Sequence, residues 1–175
     1  MKLVLYRNGG IILEVIENCG EVKYDPETKE LHYQGGKIWP YKDRYVVLDD
    51  DVQVNYDILL SRHKRQKIEE LNAKCEYEIM KGFLDETTGY YFGFSLIDQM
   101  NFTQQYLLFL TNPELSSVEW KTENAGVVQL SRDEFFAVCN SAERHKRSMI
   151  QKCWELKAQV EAAKSFDEVD AVKWT

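Results

Sequence analysis

The spacing of apolar side chains changes once along this chain, near residue 50, and that change constrains the fold more than any other feature. Before it, short apolar stretches are separated by turn residues: Leu3-Val4-Leu5-Tyr6, Ile11 to Ile16, Glu21 to Tyr24, Glu30 to Tyr33 and Tyr45 to Leu48. Asn8-Gly9-Gly10 and Gln34-Gly35-Gly36 tolerate positive φ, and Asp25-Pro26-Glu27-Thr28 sets Pro at the second turn position. Residues 1–52 therefore read as a small antiparallel β meander.

Beyond it the period lengthens to three and four. Ile58, Leu59, Ile68, Leu71, Cys75 and Ile79 mark a helix from about residue 54 that Lys81-Gly82 stops. Phe83 to Asp85 and Tyr90 to Phe94 flank Glu86-Thr87-Thr88-Gly89 as a hairpin, with Tyr90, Phe92 and Phe94 on one face. Asn101-Phe102-Thr103-Gln104 reads as a helix cap with its reciprocal partner. The helix it opens, Tyr106 to Leu110, is apolar nearly all round, ends at Asn112-Pro113 and is expected to be buried. Val118, Trp120 and Thr122 alternate into Asn124-Ala125-Gly126 and out through Val127 to Leu130, a second hairpin.

Ser131-Arg132-Asp133-Glu134 is a capping box for the longest helix, about 131–163, and Ser165-Phe166-Asp167-Glu168 opens a short last one. Along the long helix Phe135, Cys139, Ala142, Lys146, Met149, Cys153, Leu156 and Val160 alternate steps of four and three. Packing on residues 58–80 of the same subunit is the favoured use of that seam, an intersubunit coil the other. The expected fold class is α+β: a small N-terminal antiparallel β meander, 1–52, serving docking or attachment, then long helices interleaved with two β-hairpins, 53–175.

Charge narrows the partners. The chain has 29 Asp plus Glu against 22 Lys plus Arg, a formal charge of -7. Binding to nucleic acid or an anionic membrane rests on excess basic charge, so neither is expected as a partner. No apolar run approaches the ~18–20 residues that span a bilayer, and no signal peptide or anchor is expected. Cys19, Cys75, Cys139 and Cys153 lack any C-x-x-C spacing and read as reduced core thiols.

Catalytic patterns come out empty, and no enzyme, cofactor or metal is expected. His32, His63 and His145 are separately placed, the last two in charged helical turns that suit surface histidines. Gly-x-Ser-x-Gly, His-Glu-x-x-His and phosphate-cradling glycine patterns are absent. Asp49-Asp50-Asp51 with Gln53 and Asn55 lacks the Gly and closing Glu of a calcium loop and reads as a linker with a capping Asp. Asn101-Phe102-Thr103 matches a glycosylation sequon but reads as the helix cap.

One echo remains: Arg62-His63-Lys64-Arg65 before Ile68, and Arg144-His145-Lys146-Arg147 before Ile150. Flanking glutamates make these solvated, salt-bridged turns, and Arg62, Arg65, Arg144 and Arg147 are the candidate partner-binding residues. Trp39 and Tyr41 join them, and with Tyr90 and Tyr91 are candidates for saccharide contact, with core packing the commoner fate of such aromatics.

From residue 64 onward, ordered segments carry a resemblance: Lys67-Ile68-Glu69-Glu70-Leu71, Lys81-Gly82-Phe83, Asp98 to Gln105, Val118-Glu119-Trp120-Lys121-Thr122, Ala125-Gly126-Val127-Val128 and Leu156-Lys157-Ala158-Gln159-Val160. A closing A-x-x-x-x-E-x-x-A-x-x-W pattern runs from Ala163 to Trp174 through Glu168 and Ala171. Together they resemble an uncharacterised tail-protein domain of phages and prophages of Gram-positive bacteria, similar to PBSX-type prophage tail proteins. The resemblance implies a non-enzymatic virion component of the baseplate, tail tip or fibre attachment. It would be made in the host cytoplasm, contact other tail proteins and form a homo-oligomer. A tail-fibre assembly factor or chaperone, and a receptor-binding module for host cell-wall saccharide, are the alternatives. Lys164-Ser165-Phe166 departs from relatives that carry a small residue and Thr there, with Ser165 keeping the capping chemistry.

Overall fold

A computed structural model describes residues 1–40 and 44–175. The chain is α+β and divides into two compact units, residues 1–70 with 156–175, and residues 71–155. The expected boundary at 52 thus falls inside the first unit, because the C-terminal segment returns to pack on the N-terminal strands.

In the first unit, β1 (Lys2–Arg7) lies between β2 (Ile11–Ile16) and β6 (Tyr45–Leu48), antiparallel to both. A second sheet joins β3 (Lys23–Asp25), β4 (Glu30–Tyr33) and β5 (Gly36–Ile38), again antiparallel. The meander is therefore two three-stranded sheets, and β5 is a strand that the Gln34-Gly35-Gly36 turn reading left out.

Residues Lys2 to Tyr6 are all buried, so β1 is covered on both faces. Leu3 and Leu5 pack with Cys19 and Leu31 between the sheets. Each fully buried leucine contributes about 1.5–3 kcal/mol. On the opposite face Tyr6 meets Phe166 edge-on, 5.6 Å between ring centroids. The β3–β4 turn is closed by Asp25, whose Oδ1 accepts the Glu27 and Thr28 N–H groups at 2.8 and 3.3 Å. After β1 the chain turns through Gly10 at φ +72°, where a Cβ would lie 2.8 Å from the Tyr56 ring and 3.1 Å from Phe166. Only glycine fits that approach.

Helix α1 (Tyr56–Met80) begins at Asn55, whose Oδ1 accepts the Ile58 N–H at 3.0 Å. The cap is this Asn and not one of the three aspartates. Asp50 instead pairs with the terminal amino group at 2.8 Å. After α3 (Arg132–Ala162), Ser165 accepts the Glu168 N–H at 3.2 Å and opens α4 (Phe166–Ala171), as its spacing indicated.

The second unit is built on aromatic side chains. Strands β7 (Phe83–Leu84) and β8 (Tyr91–Phe92) make a minimal hairpin, and β9 (Ser117–Thr122) pairs with β10 (Gly126–Ser131) in a longer one. Phe83, Phe92, Phe94, Phe102, Phe109 and Phe135 form one buried cluster with Leu130, Val138 and Ala142. Phe102 lies at its centre, 4.5 Å from Trp120 and 5.7 Å from Phe135 between centroids.

Helix α2 (Leu96–Thr111) corrects two expectations. It starts at a Ser95–Asp98 capping box, so Asn101 is an exposed interior residue and not the cap. Of its large apolar side chains only Phe102 and Phe109 are buried, while Leu96, Ile97, Met100, Leu107, Leu108 and Leu110 face outward. The rings of the core are satisfied by one stripe of the helix, and the rest of its apolar surface finds no cover within the described residues.

The four-and-three seam of α3 is consumed inside the subunit. Phe135 and Ala142 enter the aromatic core, and Lys146, the polar interruption, reaches Gln99 Oε1 at 2.8 Å. Cys153 Sγ points at the Leu71 carbonyl and Cys75 Sγ at the Met149 carbonyl, which locks α3 to α1. The four cysteines are not joined in disulfides, and burial pushes the Cys139 thiol up to about 11.

Candidate functional site

The first unit contains a buried ionic cluster that the charge pattern concealed. Ser165 starts α4 so that Phe166 and Asp170, four residues apart, fall on one face. Asp170 accepts a hydrogen bond from Arg44 Nη2 and one from His63 at 2.8 Å from Nε2 to Oδ1. Burial raises the Asp170 carboxyl, yet the hydrogen bonds and charges of His63 and Arg44 outweigh it and hold the group below the usual carboxylate range. An ionised carboxylate only accepts, so Nε2 carries the ring proton. That leaves Nδ1 as a bare acceptor, and it has no partner among the described residues.

This geometry explains the histidine. Burial lowers its pKa more than Asp170 raises it, and protonation would place an N–H at Nδ1 with nothing to receive it. The ring is only 9% exposed and stacks on Phe166 at 5.0 Å between centroids. Expected on the surface, His63 is instead a buried neutral imidazole. The cluster joins α1, α4 and the residue before β6, with His63 and Arg44 buried and the Asp170 carboxylate partly exposed. Tyr6, whose hydroxyl burial pushes up to about 12, completes its polar lining. The spacing held the clue: His63 falls four residues after Leu59 and eight before Leu71, on the inner stripe of α1. His145 likewise is half-buried, its Nε2 3.3 Å from the Ile79 carbonyl and its ring stacked on Phe83.

The four candidate arginines divide between the two units. Arg62 and Arg65 belong to the first unit and line a shallow groove of about 520 Å³ with Val47, Leu48, Asp49 and Ile58. His32 sits 3.7 Å from Glu30 on β4. In the second unit, Arg144 donates to Ser141 Oγ at 2.9 Å, and Arg147 pairs with Glu143 at 2.8 Å one helical turn away. Exposed pairs of this kind contribute little. Trp39, for which core packing was the commoner expectation, is 71% exposed, its indole N–H held by the Thr28 carbonyl at 2.8 Å. Tyr41 lies outside the described residues.

Sequence reasoning missed the surfaces with the strongest interaction character. Edge strand β2 exposes Ile11, Ile12, Leu13 and Val15, and α2 exposes the six apolar side chains named above. Surfaces of this kind mark binding sites, because isolated proteins rarely leave apolar patches uncovered. Among the described residues no group of three or more His, Cys, Asp or Glu side chains could hold a metal ion, and no helix is long and apolar enough to cross a membrane.

The chain is α+β, with an apolar edge strand exposed in the first unit and an apolar helix face exposed in the second. By family, the chain belongs to the one described as Domain of unknown function (DUF4376), whose model matches residues 62–173, more than half of its length. That span contains His63, Phe166 and Asp170, while Arg44, Tyr6 and the whole of β2 lie before it. No curated protein and no solved structure matches the chain.

Proposed function

We propose that this chain is a non-enzymatic tail component of phages or prophages of Gram-positive bacteria, a virion structural protein of the baseplate, tail tip or fibre attachment. It acts through protein–protein contact with other tail proteins and with itself. The observation that carries the reading is β2. This strand is the edge of its sheet, its outer backbone groups pair with no strand among the described residues, and apolar side chains are exposed on both its faces. An edge so equipped takes a partner strand, with main-chain hydrogen bonds giving affinity and the flanking side chains giving specificity.

Mass spectrometry of purified virions tests it. The chain should be found there in fixed ratio to the other tail proteins, and particles carrying Leu13→Lys should lose it. If the chain is abundant in the lysate and absent from finished particles, the structural reading fails in favour of an assembly factor or chaperone.

A receptor-binding role has one observation in its favour, the exposed Trp39 ring, whose pinned indole N–H leaves its face open to stack on a sugar. In that case the isolated protein binds whole host cells, and Trp39→Ala abolishes binding while leaving the thermal unfolding midpoint unchanged.

A further inference from the structure

The exposed side chains of α2 have an order that the edge strand lacks. Leu96, Met100, Thr103, Leu107 and Leu110 are separated by four, three, four and three residues, so they run as one straight stripe along the outer face. Ile97 and Leu108 widen the stripe along one flank; Ile97 is 71% exposed. Helix α2 contains one charged residue, Asp98, and that carboxylate is committed to the Ser95 cap. The helix's own outward face therefore carries no charge; Glu143 and Lys146 border it beside Thr103 and Leu107, and Glu119 and Lys121 beside Leu108. Depletion of charge around large apolar side chains distinguishes the centre of a protein interface from ordinary surface.

We infer that this face pairs with the same face of a second copy of the chain, the two α2 helices packing antiparallel about a two-fold axis near Thr103. This rests on reading the chain as an assembly module and names the surface by which it self-associates. Three properties select a second copy over an unrelated partner. Four-three spacing on an exposed face is the pattern by which one helix receives a similar helix, knob into hole. The apolar centre is complementary to itself, and each of its borders carries one acid and one base, so no single sign of charge accumulates at close approach. The six apolar side chains are each more than half exposed, a contiguous apolar patch of the kind that forms the centre of an interface. Antiparallel packing places each helix dipole against its opposite. Leu96 then faces Leu110 of the second copy, Met100 faces Leu107, and Thr103 faces itself. The α3 seam takes no part, since it is already filled within the subunit.

The full chain is followed by sedimentation velocity from about 1 to about 100 µM, a range that reports micromolar dissociation constants. A reversible monomer–dimer equilibrium is expected. Leu107→Glu should weaken it by at least about 100-fold, as loss of a central anchor does. Leu84→Glu, at an exposed site on β7, should leave it unchanged, and circular dichroism should report native folding for both. Thr103→Cys should crosslink to itself under mild oxidation, the native thiols being buried or half-buried. Leu96→Cys should crosslink only when mixed with Leu110→Cys. A wild-type monomer throughout the range, or Leu107→Glu dimerising like wild type, overturns the pairing. So does self-crosslinking of Leu96→Cys, which is the mark of a parallel pair. A monomer that is nonetheless found in virions sinks the pairing and leaves the tail reading standing, whereas a dimer absent from virions does the reverse.

Discussion

Asp170 joins the C-terminal helix to the body of the first unit through two buried partners. Asp170→Asn removes the charge and leaves Arg44 buried without its counter-ion. Breaking a fully buried pair costs about 3–5 kcal/mol, and because Asp170 itself is partly exposed the expected loss is about 2–3 kcal/mol, measured by urea denaturation. The same cluster sets a pH dependence. The folded-state pKa of His63 is lowered, so the folded chain binds fewer protons than the unfolded one, and stability rises with pH through that window. The contribution is complete above the ordinary histidine pKa of about 6.5 and drains as the pH falls toward the folded value. Its slope is limited to about 1.4 kcal/mol per pH unit for one proton. Asp170 and Asp85 have lowered pKa values too, and their contributions are lost below about pH 4. His63→Gln keeps a donor for Asp170 and does not titrate. Its thermal midpoint should therefore fall less than that of wild type between pH 7 and 5; equal losses in the two proteins would refute the assignment. None of this was legible in the charge pattern, because Arg62, Lys64 and Arg65 around His63 signal solvent, and only position along the helix reveals that this one side chain turns inward.

At the scale of elements, hydrophobic period and turn chemistry located the helices and hairpins because those signals are local. The capping box at Ser131 formed as spaced, with Ser131 N–H donating to Glu134 Oε2 at 2.7 Å, whereas Ser165 caps α4 through its hydroxyl alone and Glu168 Oε2 takes the Lys164 N–H at 2.6 Å. The start of α2 was misplaced because Asn101-Phe102-Thr103-Gln104 and Ser95-Leu96-Ile97-Asp98 both satisfy the box pattern. The earlier one prevails, since it adds six residues of helix and brings Phe102 into the aromatic core. That α2 is only half covered could not be read from composition, as burial depends on what lies opposite. Gly82 shows the same division. Its role as a helix stop was legible, whereas its second constraint is tertiary: at φ +101° a Cβ would stand 2.3 Å from the Phe92 carbonyl, on the strand paired with β7. Gly82→Ala must strain the backbone and push the hairpin apart, so a loss of about 2–4 kcal/mol is expected in denaturant titration. A loss below about 0.5 kcal/mol, the effect of an ordinary surface substitution, would mean that β7 and β8 are not paired this way.

The chain as a whole folds into units that are not successive in sequence. The first takes its strands from residues 1–70 and its closing helix from 156–175, whereas the second is the continuous stretch 71–155. A boundary at 52 was the natural reading, because a change of period is visible and a return of the C-terminus is not. The consequence is an asymmetry in how each unit depends on the chain's end. Phe166 is fully buried against Tyr6, Tyr56 and His63, and Val169 and Val172 are buried beside it. Deleting residues 164–175 uncovers one face of β1, strips Arg44 and His63 of their carboxylate, and removes burial of roughly 5 kcal/mol from three large side chains. Nothing in the aromatic core of Phe83, Phe102 and Phe135 is touched, because every member of that cluster lies within 71–155. Hydrogen exchange on the truncated chain should therefore show β1 and β6 amides losing protection while the inner turns of α2 and β9–β10 keep theirs. Uniform loss across both units would mean that the chain unfolds as a single cooperative body.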